Sequence, residues 1–274
     1  MFQYAAGLNL ANMLNTNLML ETSMLDNDKI RNFSLSCFNI SGVLIGKKQF
    51  KKNFILPLKL IKKFGFLCNF GSKIKLYKEK SFNFDNNFLK LRGNICIDGF
   101  WQSEKYFESI SELIKKEFSL KEKISIESKK IIAKIGSQNS VSCHIRRSDY
   151  VTNPKTNSFH GTCTVEWYIK SINYIYENVK NPKFYIFSDD INWTKNNFPK
   201  DKNFKFISNS TCQKDFEDLY LMSKCKHNII ANSSFSWWSA WLNKNKDKIV
   251  IAPERWFKAK IDTSDLIPQK WIRH

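Results

Sequence analysis

SVSCHIRRSDY, which spans Ser140–Tyr150, is the stretch around which the chain is organised. Its first half alternates small and apolar residues, a pattern typical of a short buried strand. Arg146 and Arg147 follow that strand, and the carboxyl ends of strands in open α/β sheets are where ligands bind. Because guanidinium groups match phosphate oxygens bidentately, the pair predicts a phosphate or pyrophosphate site. An exposed strand end with solvated charges is the alternative.

Arginine is rare in a chain that otherwise uses lysine for its positive charge. Lys and Arg together number 44, and the formal net charge is +19, but only six of these residues are Arg. Two of the six stand side by side at 146 and 147, which favours a phosphate-binding site over an exposed strand end. The net charge itself is compatible with nucleic-acid binding, an anionic membrane face or a merely Lys-rich composition. Basic and aromatic residues alternate most densely in Lys47–Lys80, which could meet lipid headgroups or be a solvated helix face.

Composition and length define the broad class of protein. With 42% hydrophobic and 15% aromatic residues, the 274-residue chain is globular and long enough for one large or two modest domains. Seven Cys without CxxC spacing indicate reduced thiols in a cytosolic protein, and the four scattered His lack the ligand spacing of a structural zinc site. No segment has the roughly 18 continuous apolar residues of a membrane span, and Met1–Leu14 lacks the basic region of a secretory signal. We expect a cytoplasmic protein, with peripheral contact at the inner face of the cell membrane left open.

The second half of the sequence alternates strand-like and helix-like segments, which favours a parallel doubly wound sheet. This predicts a Rossmann-like domain, but without a GxGxxG loop, so phosphate contacts must come from side chains and helix N-termini. The predicted strands lie at Ser140–Ile145, Lys183–Asp190, Lys205–Ser208, His227–Ala231 and Lys248–Ala252, and the helices at Thr164–Val179, Asp215–Cys225 and Ser234–Leu242. A polar loop holding His160 is expected after the first of these strands.

The first half is less regular. A helical pattern over Met1–Leu14 and a strand at Asn17–Glu21 form the second half of a βαβ unit whose first strand is missing. Residues 26–92 show no periodicity that assigns a topology. Further elements are predicted at Asn94–Phe100 (strand), Ser103–Phe118 (helix) and Lys121–Lys134 (helix). Because Gly136–Asn139 is the best candidate linker, we expect domains at 1–137 and 138–274.

Three other stretches carry candidate chemistry, each with a plainer alternative. Ser188, Asp189 and Asp190 end a strand and could hold a metal, accept hydrogen bonds from a ribose or base, or cap a helix, although two carboxylates alone make a poor metal cage. Ser233 and Ser234 precede a Trp-rich helix, where they could bind an anion or serve as an ordinary N-cap, and its three Trp are better explained as core anchors.

In GFWQSEKYF (99–107), Trp101 could stack on a sugar and Gln102 hydrogen-bond to it, or the segment could be a packed corner. Asp218 could accept the paired N–H donors of a guanine or face solvent. Asp149 is the favoured general base, because it follows the arginines closely; His160 and Glu166 are weaker candidates. Alternatively, Asp149 orients Arg147 or caps the loop.

Together these motifs resemble glycosyltransferase family 11, the α-1,2-fucosyltransferases that move L-fucose from GDP-fucose to the 2-hydroxyl of a galactoside. The resemblance rests on HIRRSDY (144–150), GFWQSEKYF, FSDD (187–190), DLYLMSKCKHNIIANSSFSWWSAWL (218–242) and IAPERWF (251–257). The HxRR motif is shared with α-1,6- and protein O-fucosyltransferases of GT-B type, which use no metal. The implied fold is α/β and GT-B-like, with two Rossmann-like domains, the first on the acceptor side and the second binding GDP-fucose.

The resemblance also implies roles for individual residues. The arginines hold the donor diphosphate, Asp218 contacts guanine, and the Ser pair meets the phosphate. The expected donor-binding residues are Arg146, Arg147, Ser188, Asp189, Asp218, Asn232, Ser233 and Ser234; the acceptor-binding residues are Trp101, Gln102 and His160; and the catalytic residues are Arg146, Asp149 and His144. The expected reaction is an inverting transfer to a galactose-terminated surface glycan, in protein glycosylation or O-antigen synthesis, with no metal, cofactor or nucleic acid.

One departure from the family bears on activity. Family members place a strand and a glycine-rich GGLGNQ before MFQYA, whereas this sequence starts at that Met. The glycine loop is expected to approach the donor or acceptor. A fucosyltransferase inactivated by its loss is therefore one alternative, and a basic nucleic-acid- or membrane-surface-binding protein without catalysis is another.

Overall fold

The computed structural model describes residues 1–23, 25, 33–46, 74–207 and 214–274. They form two compact units, the first comprising Met1–Lys121 with Ser264–Leu266 and the second Glu122–Thr263 with Ile267–His274. The division follows Lys121 and not residue 137 as predicted, because the helix at Ile126–Gly136 packs Ile131 and Ile135 against the sheet of the second unit.

The first unit contains a buried helix and two pairs of parallel strands. Its elements are α1 (Phe2–Met13), β1 (Met19–Glu21), β2 (Val43–Ile45), β3 (Lys75–Lys78), β4 (Ile95–Asp98) and α2 (Ser111–Glu117). Strand β1 pairs with β2 and β3 with β4, both in parallel. These elements confirm the helix and the strands predicted near residues 2–13, 19–21 and 95–98.

The single helix predicted over Ser103–Phe118 is wrong. Ser103 does act as an N-cap, but of a short 3-10 helix at Glu104–Tyr106, and a second 3-10 turn precedes α2. Tyr106 and Phe107 are both fully buried. The backbone of Phe107, with φ of −146° and ψ of 11°, lies outside the helical region, and this interrupts the single helix that the sequence pattern predicts.

The second unit is built on a six-stranded, all-parallel sheet in the order β7-β6-β5-β8-β9-β10. Its elements are α3 (Ile126–Gly136), β5 (Asn139–Ile145), α4 (Ser148–Thr152), α5 (Pro154–His160), α6 (Val165–Asn178), β6 (Pro182–Ser188), α7 (Ile191–Asn197), β7 (Phe204–Ile207), α8 (Asp215–Lys224), β8 (His227–Ile229), α9 (Ser234–Leu242), β9 (Val250–Ala252) and β10 (Ile272–Arg273). The strand order reverses between β5 and β8, which is where open α/β sheets bind ligands. The predicted α/β class is confirmed, with a Rossmann-like parallel sheet in the second unit. The described residues of the first unit contain two separate strand pairs and not the second Rossmann-like sheet that the resemblance implies.

Strand β6 shows why the sheet is covered on both faces. Phe184 and Ile186 pack into the cluster on the α6 side, while Tyr185 and Phe187 pack against α3 and α8. Alternate residues of a strand point to opposite faces, so a strand buried on both sides has a continuous apolar sequence. The run FYIF meets this requirement.

The polar loop predicted after β5 is wrong, because the segment forms α4 and α5. Asn153 is the N-cap of α5, and its side chain accepts the backbone N–H groups of Lys155 and Thr156. Pro154 occupies the first turn, where its missing N–H and fixed φ suit a helix start. This Asn-Pro pair is a helix signal that the polar composition concealed.

The expectations for the cysteines, the basic stretch and membrane spans can be compared with the structure only over the described residues. Among the described cysteines, Cys143, Cys163 and Cys225 are free thiols, and Cys37, Cys143 and Cys225 are buried. Cys68 and Cys212 lie outside the described residues, as do residues 47–73 of the basic stretch. None of the helices in the described ranges has the length and apolar character needed to cross a membrane.

A buried carboxylate joins α8 to the start of α3. Glu217 accepts hydrogen bonds from the backbone N–H and hydroxyl of Ser125, at 3.1 and 2.7 Å, and from the hydroxyl of Ser128. Burial raises the pKa of Glu217, but the bonds from Ser128 and Ser125 leave it below its usual value. Its contribution to stability is therefore lost as the pH falls through the acid range.

We expect Glu217→Ala to lower the free energy of unfolding by about 2–3 kcal/mol, because three donors lose a buried acceptor. Glu217→Gln should lose less, since one carbonyl oxygen remains. The matched control is Glu112→Ala, which removes an exposed ion pair with Lys115 and should cost under about 0.5 kcal/mol. Urea denaturation at neutral pH measures all three, and equal stability of Glu217→Ala and Glu112→Ala would contradict the assignment.

Candidate active site at the carboxyl edge of the sheet

A single carboxylate holds both arginines of the HIRR motif. Strands β5 and β6 pair with Ile145 opposite Ser188, so the residues that follow each strand lie side by side. Asp189 Oδ1 accepts the backbone N–H of Arg147 at 2.8 Å, and Asp189 Oδ2 lies 2.8 Å from Arg146 Nη1. Asp189 therefore orders the turn that presents the two guanidinium groups.

Each arginine has a second carboxylate partner. Arg146 Nη2 binds Asp149 Oδ1, whose side chain comes from α4, and Arg147 Nε lies 3.3 Å from Asp190 Oδ2. Asp149 thus contacts Arg146, not Arg147 as the orienting alternative proposed. Three carboxylates around two guanidinium groups hold the arginines in place and leave the remaining N–H groups to a ligand.

The Ser188–Asp190 segment has structural roles of its own. Asp190 caps α7 by accepting the backbone N–H of Trp193 at 3.2 Å, and Ser188 Oγ accepts the N–H of Asp190 at 3.0 Å. Among the described residues, no group of three or more His, Cys, Asp or Glu is arranged to hold a metal ion. Of the three roles left open for this segment, the structure shows helix capping, and adds arginine pairing.

Helix α9 begins beside this turn, because β8 neighbours β5. Ser233 is the N-cap residue, but its side chain makes no capping hydrogen bond. The N–H of Trp237 makes the first helical bond, to Ser233 O, so the N–H groups of residues 234–236 precede the helical ladder. Such a helix start favours an anion. The prediction that the helix tryptophans are core anchors is confirmed, since the buried residues include Trp237, Trp238 and Trp241.

The side chain of Asn232, an expected donor contact, is engaged by other parts of the protein. Its side chain is buried, and its amide nitrogen donates to the carbonyl oxygens of His160, Gly161 and Trp256 at 3.0–3.2 Å. The carbonyl oxygen of Asn232 in turn accepts the Tyr150 hydroxyl at 3.4 Å. Asn232 therefore ties the turn after β8 to the arginine turn and to the end of α5.

His160 lies next to the arginine turn. Its ring stacks on Tyr150 with 4.5 Å between centroids, and the guanidinium carbon of Arg146 lies 5.3 Å from the same Tyr150 ring. The Tyr150 ring therefore contacts both His160, which is expected to bind the acceptor, and Arg146, which is expected to bind the donor. All three residues belong to the second unit.

His144 does not fit a role in proton transfer. The side chain is buried near the end of β5, with its ring 5.7 Å from that of Phe235 in α9. Burial, and secondly the charge of Arg146, lower the pKa of His144 to about 3. A group that is neutral and weakly basic at physiological pH neither donates nor accepts the proton readily, so His144 packs β5 against α9.

The two remaining candidates differ in their position. Glu166 is exposed in the first turn of α6, where hydrogen bonds from its own N–H and the Thr164 hydroxyl lower its pKa and so weaken it as a base. Asp218 is partly buried in the first turn of α8. A helix that leads into a parallel strand starts at the carboxyl edge of the sheet, so Asp218 lies at the edge that also carries the arginines.

The predicted stacking of a sugar on Trp101 is wrong. Trp101 is 0% exposed in the first unit, where it packs against Tyr77, Phe88 and Tyr106. The plainer alternative, a packed corner, describes it. Phe100 is the exposed aromatic residue instead, at 56%, and it stacks on Phe82 with 5.9 Å between centroids.

The corner that holds Trp101 has a strained backbone. Trp101 has φ of +57°, a conformation that bulky residues rarely adopt. Glu79 accepts the N–H groups of Phe100 and Trp101 at 2.7 and 2.8 Å, and burial raises the pKa of Glu79. A Cβ atom on Gly99 would lie 2.3 Å from Glu79 Cβ, so only glycine fits there. Gln102 follows in this unit, partly buried.

Sequence reasoning missed Trp193. The guanidinium carbon of Arg147 lies 3.4 Å from the centroid of the Trp193 ring, a direct cation–π contact. Trp193 stands 46 positions beyond Arg147 in the sequence. The only sequence signal is indirect, because the Asp190 cap places Trp193 in the first turn of α7 without showing what its ring touches.

Comparisons with known proteins identify the family. The model for "Glycosyl transferase family 11" matches residues 69–273. An α-1,2-colitosyltransferase of Escherichia coli is 37% identical over 100% of this chain and 94% of its own length. The O-antigen biosynthesis glycosyltransferase WbnK of Escherichia coli is 35% identical over 99% and 95%. A galactoside 2-α-L-fucosyltransferase of Caenorhabditis elegans is 27% identical over 65% of this chain and 52% of its own. The chain belongs to glycosyltransferase family 11.

Proposed function

We propose that this glycosyltransferase moves L-fucose, or the related deoxy sugar colitose, from its GDP conjugate to the 2-hydroxyl of a galactose-terminated glycan. The two bacterial relatives that match along nearly their whole length include a colitosyltransferase, which widens the donor class beyond the L-fucose expected from the motifs. The O-antigen relative supports a surface polysaccharide as the acceptor. We place this synthesis in the cytoplasm, with peripheral contact at the inner face of the membrane.

The observation that carries the proposal is the convergence of two arginines and a helix start at the point where strand order reverses. Arg146 and Arg147 follow β5, and α9 begins after the neighbouring β8. A diphosphate placed between them meets two guanidinium groups and the N–H groups of residues 234–236, all favourable to an anion. Asp218, at the same edge, then accepts the paired N–H donors of guanine.

The same groups account for the chemistry. In an inverting transfer, a base takes the proton of the acceptor hydroxyl while its oxygen attacks the anomeric carbon opposite the departing GDP. Negative charge develops on the diphosphate as the sugar–oxygen bond breaks. Guanidinium groups held in place by Asp189 and Asp190 stabilise that charge without having to reorganise.

The experiment that tests this function measures transfer from GDP-fucose and GDP-colitose to a galactoside by wild-type protein and two variants. We expect Arg146→Ala to lose about a hundredfold or more in rate, and Arg146→Lys not to restore it, because an ammonium cannot make the bidentate contact. The matched control is Arg92→Lys, since Arg92 is exposed and, within the described ranges, its guanidinium hydrogen-bonds to the Leu89 and Leu91 carbonyls. Near wild-type turnover by Arg146→Lys would remove the diphosphate role.

We also propose that the reaction needs no divalent metal. The support is that Asp189 and Asp190, the carboxylates best placed for a cation, already bind Arg146 and Arg147. Two guanidinium groups supply the charge that a cation would bring to a diphosphate. Transfer rates with and without EDTA should agree within about twofold, whereas loss of activity with EDTA and its recovery with Mn²⁺ would contradict the proposal.

Asp149 is the proposed general base. Its side chain is 47% exposed and lies against Arg146, so it can face an acceptor while remaining beside the donor diphosphate. Asp149→Asn should lower transfer about 10²–10⁴-fold, because the amide cannot take the proton. GDP affinity, measured by calorimetry, should stay within about threefold of wild type, because exposed ion pairs contribute little.

A loss of GDP affinity in Asp149→Asn would have a different meaning, because Asp149 is paired with Arg146. If GDP affinity falls in step with the rate, Asp149 orients Arg146 and the base lies elsewhere. Glu177→Gln is the matched control, since it neutralises an exposed carboxylate in the last turn of α6, at the opposite edge of the sheet, and both rate and affinity should be unchanged.

A further inference from the structure

We propose that Trp193 is a positioning residue for Arg147, whose guanidinium plane it fixes for a donor diphosphate. This inference rests on the proposed function, since it assigns Arg147 to the phosphates. Nothing in the family match or in the sequence motifs points to Trp193.

The first step is the contact itself. The Arg147 guanidinium carbon lies 3.4 Å above the Trp193 ring centroid, close to the van der Waals limit for two stacked planes. The Arg147 side chain is 17% exposed, so the pair is largely shielded from water. Cation–π interactions are strongest with Trp and strengthen when the cation is desolvated.

The second step is that the ring has a fixed support. Asp190 Oδ1 accepts the backbone N–H of Trp193 at 3.2 Å, while Asp190 Oδ2 lies 3.3 Å from Arg147 Nε. One carboxylate therefore holds both the helix residue and the arginine. The hydroxyl of Thr194, which is buried, donates to Asp190 O at 2.8 Å, and Trp193 packs against the core of the sheet.

The third step concerns the guanidinium nitrogens of Arg147 that can bind a ligand. Its face lies on the indole, and its Nε is paired with Asp190. Within the described part of the chain, neither Nη atom of Arg147 has a hydrogen-bond partner. The two Nη groups thus form the part of the fork that can bind phosphate oxygens, in a plane set by Trp193. Fixing that plane before binding reduces the entropy lost when a ligand is bound.

The experiment is a double-mutant cycle read by calorimetric titration with GDP. We expect Trp193→Leu to weaken GDP binding about tenfold, the size of a shielded cation–π contact, and Trp193→Phe to retain most of the affinity. In an Arg147→Lys background, which has no guanidinium plane, Trp193→Leu should change affinity less than about twofold. Phe204→Leu is the matched control, because Phe204 packs on the same core from β7; its melting temperature should fall, but its GDP affinity should not.

The outcomes separate this inference from the function on which it rests. If Arg147→Lys binds GDP as tightly as wild type, the donor role of Arg147 fails, and the role of Trp193 fails with it. If Arg147→Lys binds weakly but Trp193→Leu binds normally, only the role of Trp193 fails. Equal losses from Trp193→Leu in both backgrounds also overturn it, because Trp193 then acts through folding. If Trp193→Leu does not fold, Trp193→Phe is measured instead. Its GDP affinity should stay within about threefold of wild type, and a larger loss overturns the inference.

Discussion

The arrangement of this site depends on the carboxylate of Asp189. One oxygen holds the backbone of the arginine turn at Arg147, and the other holds the side chain of Arg146. Two adjacent guanidinium groups would otherwise repel each other and spread into solvent. Because Asp189 follows β6, the strand next to β5, the sheet itself brings this carboxylate to the arginines. The turn then places Tyr150 against the backbone of Asn232, which connects it to the turn before α9.

Local patterns were sufficient to predict the sheet and the clustering of its polar edge. The strands of the second unit have short apolar runs between turn signals, and α9 follows a Ser N-cap, so its bounds agree with the prediction. The rule that carboxyl ends of parallel strands share an edge then predicts that Arg146, Asp189 and Ser233 lie at one edge of the sheet. These inferences need only sequence-local information and topology.

The roles that sequence could not supply depend on contacts between distant segments. The side chain of Asn232 is a suitable ligand by its chemistry, but its amide is used by carbonyl groups 71–72 and 24 positions away in sequence. Burial of His144 between β5 and α9 is likewise a tertiary effect, and it removes the charge that would make an acid of this residue. Trp193 reaches Arg147 only because α7 starts beside the arginine turn.

The corner at Trp101 shows a second limit of prediction from sequence patterns. Alternation along a strand predicts which residues face outward, but a left-handed φ at Trp101 breaks the alternation. The large ring therefore enters the core, and Phe100 is exposed. A strained residue costs on the order of 1–3 kcal/mol, and here Glu79 and the surrounding aromatic side chains offset that cost.

The central claim is that a nucleoside diphosphate binds between the ends of β5 and β8. A crystal structure of the protein soaked with GDP tests it most directly. Both phosphates should lie within hydrogen-bonding distance of Arg146, Arg147 and the N–H groups at the start of α9. A diphosphate bound elsewhere, with both arginines still engaged only by Asp149, Asp189 and Asp190, would contradict it.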